Sequence, residues 1–126
     1  MKFALMINGG PYTSQGANSA YGFAVAALAQ GHEVLRVFFY GDGVYNAMRD
    51  MRPPADEPPL LTGWQALADR HGVDLVICSA AAERRGVLGI GEDVGDSGIA
   101  EGFRVAGLGL WVDACLAADR VLVFHG

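Results

Sequence analysis

Cysteine is scarce in this chain: of 126 residues, only Cys78 and Cys115 carry a thiol. Two cysteines cannot build a disulfide scaffold, so free thiols in a reducing, cytoplasmic compartment are the expectation. Basic runs are missing too. Nine Lys and Arg stand against fourteen Asp and Glu, a formal net charge of −5, and Arg84-Arg85 is the one adjacent basic pair. That balance argues against nucleic acid or an anionic membrane as a direct partner. Nor is there a long hydrophobic run. The stretch from Phe3 to His32 holds no Asp, Glu, Lys or Arg, but the polar, glycine-rich segment Asn8 to Ser19 interrupts it, so it does not read as a membrane span. Phe3 to Ile7 is too short for the apolar region of a signal peptide. His32, His71 and His125 are scattered, and with two separated cysteines they offer no metal-ligand spacing.

What is present is apolar bulk. The composition is 52% hydrophobic and 18% charged, which fits one globular domain over residues 1–126 with a real core. A small domain this apolar is expected to hide some of its surface against partner subunits.

Short apolar runs alternate with helical periodicities along the chain. Lys2 to Ile7 reads as a strand buried on both faces and stopped at Asn8-Gly9-Gly10-Pro11. Ala17, Ala20, Tyr21, Ala24, Ala27 and Leu28 then recur at helical spacing, with Gly31 beyond the helix end. Glu33 to Tyr40 is the second strand, after which Asp42 is expected to N-cap a short helix through Met48. Arg52 to Pro59 reads as an exposed loop. Pro58-Pro59 opens a helix whose face holds Leu60, Leu61, Trp64, Leu67, Ala68 and His71 and which ends at Gly72. Asp74 to Cys78 is a third strand, Ser79 to Arg85 a short helix, and Gly86 to Gly102 a glycine- and acid-rich loop. Leu108, Trp111, Val112, Cys115 and Ala118 share a face of the last helix, and Arg120 to Phe124 is expected as a final buried strand. The alternation predicts an α/β fold, a three-layer α/β/α sandwich with a mostly parallel sheet of four to five strands; the fifth would lie between Gly86 and Gly107.

Several fragments together resemble a known family. They are Phe3-Ala4-Leu5, Ser19-Ala20-Tyr21-Gly22-Phe23-Ala24, Gly31-His32-Glu33, Val37-Phe38-Phe39-Tyr40 with Asp42-Gly43-Val44-Tyr45-Asn46, and Ile77-Cys78 with Ala80-Ala81-Ala82 and Arg84-Arg85-Gly86-Val87. Gly102-Phe103, Gly107-Leu108-Gly109 and Ala118-Asp119-Arg120-Val121 complete the set. In this combination the chain resembles the DsrE/TusD family of sulfur-relay sulfurtransferase subunits over nearly its whole length. The resemblance implies a heterohexamer with two related subunits, one DsrF- or TusC-like and one DsrH- or TusB-like. It also implies that Cys78 takes sulfur from a TusA-like donor and passes it, as a persulfide, to a DsrC- or TusE-like acceptor. The DsrE-like branch serves dissimilatory sulfur oxidation, the TusD-like branch thiolation of the tRNA wobble uridine. Asn8, Gly10-Pro11-Tyr12 and Arg36-Val37 look closer to the DsrE side. The stretch Leu88 to Ala100 departs from the family by being shorter and richer in glycine.

Physical reasoning supports Cys78 separately. A cysteine at the carboxyl end of a central parallel strand sits where open α/β folds place ligand crevices. Ser79 and the alanines behind it start a helix, whose N-terminus favours the thiolate that attacks a persulfide. The plain alternative is a buried structural cysteine. Arg84 and Arg85 do not simply acidify it: six helical residues put Arg84 about 9 Å along the axis, so structural or docking roles are expected of both. Cys115 is expected in the core, and the segment Gly86 to Gly102 as the gate for partners. The loop Asn8 to Gly16 lies where a phosphate-binding loop would, but lacks the Walker lysine and the GxGxxG order, and Gly89-Ile90-Gly91 has the wrong third spacing. That loop is expected to wall the Cys78 crevice, with Tyr12 as a contact and Ser79 beside the thiol. No metal or organic cofactor is required. Two rival functions stand beside the carrier: a non-catalytic scaffold subunit, and a flavodoxin-like binder of FMN or a nucleotide.

Overall fold

A computed structural model describes residues 1–88 and 98–126. Residues 89–97, which include most of the expected gate and the Gly89-Ile90-Gly91 run, lie outside the described residues. The strands are β1 (Lys2–Ile7), β2 (Glu33–Phe39), β3 (Asp74–Cys78), β4 (Phe103–Ala106) and β5 (Arg120–Phe124). They form one all-parallel sheet in the order β4-β3-β2-β1-β5. The helices are α1 (Gly16–Ala29), α2 (Leu60–His71), α3 (Ser79–Arg84) and α4 (Gly109–Ala117), with a 3₁₀ helix at Gly41–Ala47. The expected α/β sandwich is therefore present, with β4 as its fifth strand.

The layering follows from strand order. The steps from β1 to β2 and from β2 to β3 run the same way across the sheet, so right-handed crossovers place α1 and α2 on one face. There Leu5, Ile7, Val37, Phe39 and Leu75 meet Ala17, Ala20, Ala24, Leu60 and Trp64. The return from β4 to β5 runs the opposite way and carries α4 to the other face, where Phe38 and Val76 meet Leu110 and Trp111. The alternation of side chains along each strand divides the two cores. Trp64, fully buried, stands edge-on to both Tyr21 and Phe39 at centroid distances of 5.2 and 5.6 Å.

Three expectations need correction. Asp42 makes no N-cap: the 3₁₀ helix begins after Tyr40 with no side-chain cap, and Asp42 lies in its first turn. β5 is not a buried strand but an edge, with Val121 43% and Val123 44% exposed, because the chain returns to pair only with β1. On α4 only Ala114 is buried, and Cys115 is half-buried instead of lying in the core. Asp113 is the one charge in its nine residues, so apolar side chains surround the helix and periodicity could not select a face.

Candidate functional site around Cys78

Cys78 is the last residue of β3 and the N-cap of α3, with φ −64° and ψ 120° still in the extended region. Its position in the register opposite Ala106 places it on the α4 face of the sheet with Val76. The side chain is 1% exposed. The open crevice expected here is filled: Val44 and Ala47 from the 3₁₀ helix, Ala81 and Ala82 from α3, and Val87 pack in one cluster with the thiol.

The 3₁₀ helix can lie this close because of its composition. A Cβ on Gly43 would overlap the Ile7 carbonyl at the end of β1, so only glycine lets the helix settle onto the sheet edge. Asn46, fully buried, donates from Nδ2 to the Gly9 carbonyl at 3.0 Å and to the Gly43 carbonyl at 2.9 Å. One amide thus ties the cover to the β1–α1 loop. Buried polar groups cost free energy when unpaired, so the bond to Gly9 fixes the placement of the helix while the bond to Gly43 holds its turn. Beyond it, the Met48–Ile99 bridge, with Arg49 N–H to Gly98 C=O at 2.6 Å and Ala100 N–H to Ala47 C=O at 2.9 Å, joins the next stretch to the segment before β4.

The residues singled out from sequence separate into two groups. Ser79, half-buried, follows Cys78 directly as the first residue of α3. Arg85 is the C-cap of α3; its Nε donates to Asp42 Oδ1 at 3.0 Å and its Nη1 to the Ala81 carbonyl at 3.1 Å. Arg84 is exposed on the same helix. Both arginines stand at the far end of α3 from the thiol, as the helical rise predicts.

Tyr12 lies apart, beyond the 3₁₀ helix. It is the one positive-φ non-glycine residue among those described, at 66°. Its hydroxyl donates to the Pro58 carbonyl at 2.5 Å and accepts from the Leu60 N–H at 3.2 Å, which fastens the first loop to the start of α2. It also lines a cleft of about 470 Å³ with Asp42, Tyr45, Met48 and Met51. Met48 is common to this cleft and to the packing around Cys78. Sequence reasoning missed Val44 and Ala47 as the cover of the thiol, and Asp42 and Asn46 as its fastenings. The available signal was Val44 and Ala47 three apart in a turn that also holds Gly43 and Asn46.

Among the described residues, no group of three or more His, Cys, Asp or Glu side chains is placed to hold a metal ion, and no helix is long and apolar enough to cross a membrane. The chemistry on offer is that of one enclosed thiol at a strand end.

Kinship accords with that geometry. The sequence pattern of the DsrE/DsrF-like family matches residues 1–124. The chain is 48% identical over 128 aligned positions to the protein named "Putative sulfurtransferase DsrE" of Allochromatium vinosum, covering 98% of each. It is 49% identical over 128 positions to "Sulfurtransferase TusD" of an Enterobacter species, covering 98% of this chain and all of that one. Among solved structures, the crystal structure of the ychN protein from E. coli superposes with a TM-score of 0.83 at 23% identity, over 98% of this chain and 99% of that one, a likeness of fold. On its matched length and its two close relatives, this chain belongs to the DsrE/DsrF-like family.

Proposed function

We propose that this chain, a sulfurtransferase of the sulfur-relay type by its full-length kinship to DsrE and TusD, carries sulfane sulfur on Cys78. One observation carries the reading: Cys78 ends an inner strand and begins a helix in a chain whose close relatives are named sulfurtransferases. The Cys78 thiolate attacks the outer sulfur of a donor persulfide. A new S–S bond forms at Cys78, the donor's S–S bond breaks, and the donor leaves as its thiolate. An acceptor thiolate then attacks the outer sulfur of the Cys78 persulfide, and Cys78 leaves in turn. No electrons are gained or lost overall, so no redox cofactor enters. The donor and acceptor thiols come from partner chains, and Cys115, half-buried on α4, is assigned no role in either exchange.

The donor is TusA-like and the acceptor DsrC- or TusE-like. Two related subunits complete the assembly, packing on the apolar face formed by α4 and the β5 edge, where Leu108, Val112, Leu116, Val121 and Val123 are 43–82% exposed. The loop residues Asn8 and Gly10-Pro11-Tyr12 favour the sulfur-oxidation branch. The 49% identity to a TusD supports tRNA wobble-uridine thiolation as a second reading. Deleting the gene separates them: loss of sulfane-sulfur oxidation supports the first, loss of thiolated uridine in tRNA the second.

Intact-mass analysis after incubation with a sulfane-sulfur donor tests the carrier role. Wild type is expected to gain the mass of one sulfur atom, and Cys78→Ser none. Equal gain in both would sink the assignment. A Cys78→Ser chain that fully supports transfer in the reconstituted complex would instead establish a scaffold role.

A further inference from the structure

A sulfur atom carried on Cys78 must be reached by two partners in turn, yet the side chain is 1% exposed. Among the described residues, two elements and Val87 enclose it. The 3₁₀ helix supplies Val44 and Ala47, and α3, which starts at the cysteine itself, supplies Ala81 and Ala82. The two are joined by an ion pair, at the end of α3 away from the thiol, between Arg85, the C-cap of α3, and Asp42, in the first turn of the 3₁₀ helix. Their separation is 3.0 Å, and Arg85 is held in place by its second bond to the Ala81 carbonyl.

Among the described residues the cover is fastened by Asn46, by the Ala100 N–H bond to the Ala47 carbonyl at 2.9 Å, and by the Arg85–Asp42 pair. Asn46 is fully buried, and its bond to the Gly9 carbonyl resists opening, while its bond to Gly43 stays within the 3₁₀ helix. The Arg85–Asp42 pair is the outer fastening, with side chains 25% and 66% exposed. Ion pairs so placed are weak, so this one opens at little cost and without unfolding the domain. Asp42 also lines the Tyr12–Tyr45–Met48 cleft, so the pair lies where a docking protein can reach it.

We propose that Arg85 and Asp42 are positioning residues of the sulfur transfer, a clasp that sets how often the 3₁₀ helix uncovers Cys78; this role rests on Cys78 being the sulfur carrier. Arg85 acts through the cover and not by contact with sulfur.

Alkylation of Cys78 by iodoacetamide, measured on the full chain in a Cys115→Ala background, reads the uncovered fraction directly. Asp42→Asn and Arg85→Gln are each expected to label about two- to five-fold faster than the background chain, the population change that loss of an exposed ion pair gives. Arg85→Lys, which keeps the charge, stays near the background rate. The exchanged pair, Asp42→Arg with Arg85→Asp, returns to within about two-fold of it. The acceleration must be nearly independent of low urea, as local opening requires. Unchanged rates in both single variants, no recovery in the exchanged pair, or rates that merely follow the global stability from urea unfolding would each overturn the clasp. Failure of the carrier reading appears elsewhere, as absence of sulfur on Cys78 in the mass experiment, and leaves these rates untouched.

Discussion

At Asp74, the first residue of β3, burial and pairing act in opposite directions on one carboxyl group. Desolvation raises its pKa, but Arg104, bonding both oxygens at 2.9 and 2.7 Å, and Arg36, at 2.6 Å, together outweigh it and hold the group below its ordinary value. Arg36 passes the restraint on, since its Nη1 donates to the Leu110 carbonyl at 2.7 Å and so ties the start of α4 to the sheet. A depressed carboxyl pKa contributes stability that is present above the ordinary value and is lost as pH falls through the folded one. Asp74→Asn is therefore expected to lower stability at neutral pH by about 1–2 kcal/mol, a figure already reduced for the partial exposure of the site. Urea unfolding of wild type and variant should converge as the pH drops below the ordinary carboxylate range, because wild-type Asp74 is then neutral as well. A gap that stays constant down to acid pH would assign the loss to packing instead of charge.

The 3₁₀ helix is the element on which the site depends, and Gly43 is its most constrained position. Gly43→Ala forces a methyl group against the Ile7 carbonyl, so the helix must lift or β1 must shift. Overpacking of this kind costs about 1–3 kcal/mol. A lowered urea midpoint together with faster alkylation of Cys78 is the expected pair of results; a lowered midpoint with unchanged alkylation would show that the strain is relieved in β1 and not in the cover. Sequence patterns made β1, β2 and β3 legible because Phe3 to Ile7, Val37 to Phe39 and Leu75 to Ile77 are apolar runs, and α1 and α2 legible because alanines or Leu60, Trp64 and Leu67 repeat on one face. β4 was legible only as an allowance for a fifth strand, since Phe-Arg-Val-Ala is four residues long and leaves no apolar run of three on either side of Arg104. Cys78 was legible as a strand-end thiol. Its cover was not, because Val44, Ala47 and Ala81 are close in space only once β2 and β3 pair, and no local period records that meeting.

For the whole molecule the unbalanced feature is the outer surface of α4 and β5. Leu116 is 82% exposed, Val112 54% and Leu108 47%, beside the edge strand carrying Val121 and Val123. An apolar patch of this kind beside an unpaired strand edge is costly in water and invites association. On the other face of the sheet the large apolar side chains lie beneath α1 and α2. Burying one leucine of this kind in an interface contributes about 1.5–3 kcal/mol, and a glutamate in its place adds the cost of a desolvated charge. On the proposed assembly, Leu116→Glu is accordingly expected to weaken association of the chain with itself or with co-expressed related subunits, and light scattering during gel filtration reads the change in mass. Since Leu116 touches little of its own domain, the urea midpoint of the dissociated chain should stay close to that of the wild-type domain, within about 0.5 kcal/mol. Sulfur loading of Cys78 by a small-molecule donor should survive the substitution, because Leu116 points outward from α4 at 82% exposure, whereas the side chains of α4 that pack in the Cys78 cluster are Leu110 and Trp111. Transfer onward to a protein acceptor is the step expected to fail. If assembly persisted unchanged in Leu116→Glu, the contacts between subunits would have to lie elsewhere, and the apolar shell of α4 would be left without a partner.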